Sequence, residues 1–103
     1  MIYMVDIDGT ICEWMKDGDY SKAVPWYSRI EKINKLYDEG HTIHYWTARG
    51  MTSHTNWEEV TKKQLFDWGC KYHTVNFKKP AYDVWIDDKA FSNKEFFGDT
   101  YNG

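Results

Sequence analysis

Ile2-Tyr3-Met4-Val5-Asp6-Ile7-Asp8-Gly9-Thr10 decides how the rest of the chain is read. Ile2, Tyr3, Met4 and Val5 form an apolar run of β-formers whose length suits a buried strand. The run breaks off into two carboxylates flanking Ile7, and Gly9 then lets the backbone turn. In an extended chain, residues two apart point to the same side. Paired carboxylates at one strand end therefore repel each other unless a cation or a proton neutralises them. The plainer alternative is a strand followed by a solvated Asp-Gly turn. The downstream sequence weighs against it.

Residues 11–23 mix polar and aromatic side chains around the turn signal Lys16-Asp17-Gly18-Asp19. They suggest a β-hairpin or flap beside the Asp6/Asp8 end, with Cys12-Glu13-Trp14-Met15 as one arm. Pro25 fits the first turn of a helix. Trp26, Ile30, Ile33 and Tyr37 follow at helical spacing with Leu36 beside them, and Gly40 supplies the stop. Residues 42–46, TIHYW, read as a second strand that ends in Thr47-Ala48-Arg49-Gly50. Thr55-Asn56-Trp57-Glu58 has the capping-box pattern. Trp57, Val60, Gln64, Leu65 and Trp68 then trace a helical face closed by Gly69. Residues 72–77 make a third, weaker strand, broken by Lys78-Lys79-Pro80. Residues 82–86, YDVWI, read as a fourth strand ending in Asp87-Asp88, and residues 90–97 as a short last helix.

Strands alternating with helices predict an α/β fold: a three-layer, Rossmann-like domain with a mainly parallel sheet, right-handed crossovers and helices on both faces. In such sheets ligands bind outside the carboxyl ends of the strands. Four strand ends deliver, in turn, Asp6/Asp8, Thr47, Lys79 and Asp87/Asp88, and a parallel sheet brings them to one rim.

At 103 residues the chain is expected to be a single domain, 1–103. Hydrophobic residues make up 42% and aromatic residues 18%, which favours a packed core over disorder. A net charge of −3 argues against a protein that grips nucleic acid by bulk electrostatics, so nucleic acid is not an expected partner. The start carries no signal-peptide pattern, and no apolar run is long enough to span a bilayer, so no membrane partner is expected. Cys12 and Cys70 stand in no metal-ligand spacing. They read as free thiols in a reducing compartment, which implies a cytoplasmic location. The Gly/Asn/Asp-flavoured end, 97–103, reads as a loose tail.

Hard oxygen ligands at one rim suit Mg²⁺, which commonly binds through one or two carboxylates plus a substrate phosphate. The histidines, His41, His44, His54 and His73, have no paired spacing that suits zinc. Phosphoryl transfer needs charge neutralisation and positioning above all. Mg²⁺ and Lys79 would offset phosphate charge. Thr47 and backbone N–H groups of the Asp8-Gly9-Thr10 turn could donate to phosphoryl oxygens. One carboxylate could act as nucleophile and a second as general acid and base.

The chain resembles the haloacid dehalogenase superfamily of phosphohydrolases. An apolar strand leading into Asp-x-Asp-Gly-Thr is matched by Val5-Asp6-Ile7-Asp8-Gly9-Thr10, and a Thr or Ser at a strand end by Thr47 in HYWTARG. The lysine motif is matched by Lys79 in KKP, and an apolar strand with an acidic pair by Asp87-Asp88 in VWIDD. The likeness runs in the family's order from residue 2 to about residue 91. It implies Asp6 as nucleophile and magnesium ligand, and Asp8 as general acid/base that lends its carbonyl to the metal. It implies phosphoryl binding by Thr47 and Lys79, and Asp87 and Asp88 as metal ligands, Asp87 the more direct. Lys78 is the alternative to Lys79. Larger members carry a cap domain. Here 11–23 and 50–56 are too short for one, which implies a capless member. An open site suits a large or presented substrate, and a homo-oligomer with a neighbouring subunit as lid is another way to close it.

Arg49, close after Thr47, could grip a phosphate or carboxylate, or else pair with an acid such as Glu13 or Asp88. Trp14 and Tyr20 could stack on a sugar or base, or simply pack. His54 could touch a leaving group or stay solvated. Trp26, Trp46, Trp57, Trp68 and Trp85 read as core. The expected function is a Mg²⁺-dependent phosphatase acting on a small-molecule phosphate ester such as a sugar phosphate or nucleotide. The alternatives are action on a nucleic-acid end or other macromolecule, and a catalytically silent binding module.

Overall fold

Val5, Ile43 and Tyr45 alternate along two apolar runs, and all three are buried on the same side of a sheet. The computed structural model of the protein describes residues 1–51 and 55–101. Within it, β1 (Ile2–Asp6), β2 (Thr42–Trp46) and β3 (Thr74–Asn76) form a parallel sheet in the order β1-β2-β3. The chain crosses from β1 to β2 through α1 (Tyr27–Asp38) and from β2 to β3 through α2 (Glu58–Asp67). A short α3 (Asn93–Phe97) follows, opened by Ser92, which forms a capping box with Glu95.

Two forward crossovers of the usual right hand lie on the same face of a sheet, and the burial agrees. Ile30 and Ile33 of α1, Leu65 of α2 and Phe97 of α3 join Val5, Ile43 and Tyr45 in one core. Each such side chain contributes about 1.5–3 kcal/mol by leaving water. On the other face Ile2 and Met4 are exposed. The expected three layers are thus two, with helices on one face among the described residues.

The missing layer goes with the missing strand. Residues 82–86 are not in the sheet: Val84 is 75% exposed and Ile86 94%. The segment is held instead by rings, Trp85 packing edge-on against Trp46 and tilted against Tyr82. An apolar run prescribes a buried strand only where a neighbour covers it, and nothing in the run itself names that neighbour. Trp85, read as core, is accordingly 43% exposed.

Three local expectations also change. Residues 11–23 form no hairpin. Cys12 makes isolated bridges to Asp8 and Pro25, a tight turn at Gly18 (φ 77°) follows, and a 3-10 turn spans Tyr20–Lys22. At α2 the cap position is Trp57, and the Glu58 amide donates to the Asn56 side chain. The end of the chain is anchored rather than loose through residue 101. Arg29, fully buried on α1, donates from Nε and Nη2 to the Asp99 carboxylate at 2.9 and 2.7 Å. Its Nη1 donates to the Thr10 carbonyl at 3.1 Å and to Asn93 at 2.9 Å. The rings of Trp26, Phe97 and Tyr101 surround the guanidinium, and Tyr101 stacks on Trp26 at 4.7 Å. The Arg29 hydrogen bonds hold the Asp99 carboxyl below its ordinary pKa. A buried guanidinium requires a counter-charge, and that requirement outweighs the polar composition that suggested a tail.

Candidate active site

The pairing register builds the site. Asp6 lies opposite Trp46, and Trp46 opposite Asn76, so all three strands end level. Beyond their ends the chains stay together: the Thr47 amide donates to the Asn76 carbonyl at 2.9 Å, and the Lys79 amide to the Thr47 carbonyl at 3.2 Å. Asp6, Asp8, Thr47, Arg49 and Lys79 thereby line one open cavity of about 270 Å³. Trp14 and Tyr20 from the 11–23 segment form part of its wall, and Tyr82 another part.

Each carboxylate faces a cation. Lys79 Nζ lies 3.0 Å from Asp6 Oδ1, and the Thr10 hydroxyl donates to Asp6 Oδ2 at 3.0 Å. Burial nevertheless pushes the Asp6 carboxyl above its ordinary pKa, against the opposing pull of Lys79 and Thr10. The Lys79 ammonium sits over the rings of Trp46 and Tyr82, at 5.4 and 5.3 Å. Arg49 holds Asp8 with both arms of its fork, Nε to Oδ2 at 2.9 Å and Nη2 to Oδ1 at 2.8 Å. Its remaining nitrogen, Nη1, donates to Thr61 at 2.9 Å and to Gln64 at 2.6 Å. The Tyr20 ring lies 4.7 Å away, and Gln64 also donates to the Tyr20 carbonyl at 2.6 Å. Arg49 is therefore fully engaged by the protein. Its partner is Asp8, not Glu13 or Asp88.

Thr47 is buried, and its hydroxyl oxygen accepts the Arg49 amide at 3.1 Å, leaving its own proton to donate. The Gly9 and Thr10 amides are not open to a ligand. They donate to the Cys12 carbonyl at 2.9 Å and the Ile7 carbonyl at 3.1 Å, closing a tight turn through Gly9 at φ 77°. The Cys12 thiol lies 3.6 Å from Asp8 Oδ1, and burial raises its pKa, so it remains protonated.

Asp87 and Asp88 are exposed and do not line the cavity. The Asp87 carboxylate accepts the Lys89 amide at 2.8 Å and the Trp85 indole N–H at 3.2 Å, and these bonds lower its pKa. Both lose the place expected for them because residues 82–86 do not join the sheet. Among the described residues, no three His, Cys, Asp or Glu side chains are grouped to hold a metal ion. His41 contacts the terminal amine, His44 contacts Thr74, and His73 accepts the Ile43 amide. His54 lies outside the described residues.

Sequence reading missed Thr61, Gln64 and Tyr82. The signal for the first two was present: three residues apart on a helix, they share a face. Tyr82 gave none, because it was assigned to a strand.

The fold recurs in the crystal structure of an MCSG target from Vibrio cholerae. The two are 24% identical with a TM-score of 0.83, over 96% of this chain and 89% of that one. At this identity the likeness is one of fold. No family model and no curated protein matches the chain. No helix among the described residues is long and apolar enough to cross a membrane.

Proposed function

We propose that the protein is a phosphomonoesterase of the haloacid dehalogenase type, hydrolysing a small phosphate ester through an aspartyl-phosphate on Asp6. One observation carries this reading. Two carboxylates, a buried threonine hydroxyl and a lysine, from three successive strand ends, meet around one open cavity. In this reading Asp6 attacks phosphorus and the bond to the leaving oxygen breaks. Lys79 moves from Asp6 to the phosphoryl oxygens, and Thr47 donates to another. Asp8 enters the cycle protonated, gives that proton to the leaving oxygen, and as the resulting carboxylate takes one from the water that cleaves the aspartyl-phosphate. Its Oδ2 accepts one bond from Arg49 and keeps a second lone pair for that exchange.

The donor set at the cavity fits Mg²⁺ in its mode of one or two carboxylates plus phosphate and water. Asp6 would hold it, with the Asp8 carbonyl implied by the resemblance. When bound, the ion supplies positive charge to the phosphoryl group. Charge balance favours this: with Asp8 protonated for its proton transfer, Asp6, Arg49 and Lys79 leave one positive charge, so a phosphate dianion alone makes the site negative. A second reading is a phosphate-ester binding module without turnover. The position of Asp87 and Asp88 outside the cavity favours it.

Purified protein with Mg²⁺ should release phosphate from p-nitrophenyl phosphate or a metabolite panel. Chelation and Asp6→Asn should each abolish the release. If no substrate gives release above the Asp6→Asn background, hydrolysis is refuted and the binding reading stands.

A further inference from the structure

Two large rings at the cavity are left to solvent. Trp14 is 63% exposed and Tyr82 48%, and both line the cavity. Tyr82 keeps one side on Trp85 and Lys79, as Trp46 does, and Tyr20 meets Trp57 edge-on and lies against Arg49. Exposing an indole forgoes the burial that normally makes tryptophan favourable in a fold.

The charges of the cavity pair within it, Lys79 with Asp6 and Arg49 with Asp8. The rest of the wall consists of Trp14, Tyr20, Ala48, Pro80, Ala81 and Tyr82, and it carries no charge. An ester bound by its phosphoryl group at Lys79 and Thr47 therefore extends its leaving group over rings and apolar surface. A nucleic-acid strand or polyphosphate would require a track of cations, and the wall offers none. A flat, uncharged ring matches what the wall does offer.

Resting on the phosphoryl-transfer reading, we propose that the preferred substrates are monoesters whose leaving group carries an uncharged planar ring, a nucleoside or a phenol. The ring stacks on Trp14, with Tyr82 as a second apolar contact. Trp14 is thus a specificity-determining residue.

The test compares kcat/KM for thymidine 5′-monophosphate, phenyl phosphate and glycerol phosphate in wild type, Trp14→Ala and Trp14→Phe. Wild type should prefer the ring-bearing esters. Trp14→Ala should reduce the ratio of ring-bearing to glycerol ester by roughly 5- to 150-fold, the range of one stacked base. Trp14→Phe should keep most of the ratio. Preference for the thymidine ester assigns a nucleoside, and preference for phenyl phosphate assigns a phenol. A ratio unmoved by Trp14→Ala, or no ring preference in wild type, overturns the proposal. Equilibrium dialysis of thymidine 5′-monophosphate against Asp6→Asn with and without Trp14→Ala separates this proposal from the hydrolysis reading. Binding that depends on Trp14, with no turnover in wild type, keeps the ring subsite and overturns only hydrolysis. The same dialysis is run with phenyl phosphate, and binding of both esters that ignores Trp14, or no binding of either, overturns the subsite.

Discussion

Replacing Arg49 by alanine tests whether the Arg49–Asp8 pair is structural as well as functional. The Arg49 side chain has no exposed surface, and only 13% of the Asp8 side chain is exposed. Removing one partner of a buried pair leaves an uncompensated charge and costs about 3–5 kcal/mol. A domain of this size is stable by only about 5–15 kcal/mol, so the loss is a large share. At about 4–8 °C per kcal/mol, Tm should fall by roughly 12–40 °C. Most of that cost comes from the stranded Asp8 carboxylate. Arg49→Ala with Asp8→Ala should therefore cost less than the two single changes added together, with a coupling of about 1–3 kcal/mol. Urea unfolding of wild type, both singles and the double, at fixed pH and ionic strength, measures each term. Additive costs, or an Arg49→Ala loss under about 1 kcal/mol, would refute the reasoning.

Asp6 gives a pH prediction for the metal-free protein. Burial raises its pKa above the ordinary 3.8, so the native state holds this proton more tightly than the unfolded chain. Its contribution to stability is full below the unfolded pKa and is lost as pH rises through the folded one. A carboxyl ¹³C titration should place the midpoint above 3.8, and Lys79→Met, which removes a lowering charge, should move it higher. A midpoint at or below that value contradicts the burial argument. Cys70, its thiol pushed up to about 12 by burial, should resist iodoacetamide at pH 8. Its thiolate fraction there is about one in ten thousand, so rapid alkylation of folded protein would be the contrary result. Asp99→Asn should destabilise the protein by about 1–3 kcal/mol and speed hydrogen exchange at the Thr10 and Ile11 amides. Unchanged exchange would show that Arg29 does not carry tail packing to that loop.

Much of the site was legible because strand alternation and rim position are local properties. Met4-Val5-Asp6 and Tyr45-Trp46-Thr47 announce strand, end and polar rim within a few residues, and the parallel register does the rest. Lys79 was legible for the same reason. What was hidden depended on partners far away in sequence. YDVWI has a strand's composition, but its membership of the sheet depends on a neighbour the run does not specify. With it went the placement of Asp87 and Asp88. Arg49 was recognised as a gripping residue, but its target was set by the depth at which Asp8 comes to rest, which no spacing reveals. Nothing in the sequence around Arg29 singles it out on its helix. Only the arrival of Asp99, Asn93 and Tyr101 from the other end explains why it is inside.

That arrival has a consequence for biosynthesis. Arg29 leaves the ribosome well ahead of Asp99, which follows 70 positions later. At about 5–20 residues per second the delay is roughly 4–14 s. Throughout that interval the guanidinium lacks its native partner, Asp99. The helix carrying it cannot settle fully, and the Thr10 carbonyl lacks its clamp. The nascent chain therefore reaches its working shape late, and the part made first is among the last to be fixed. A stalled or truncated product would present an unfinished loop to the cell's chaperones and proteases.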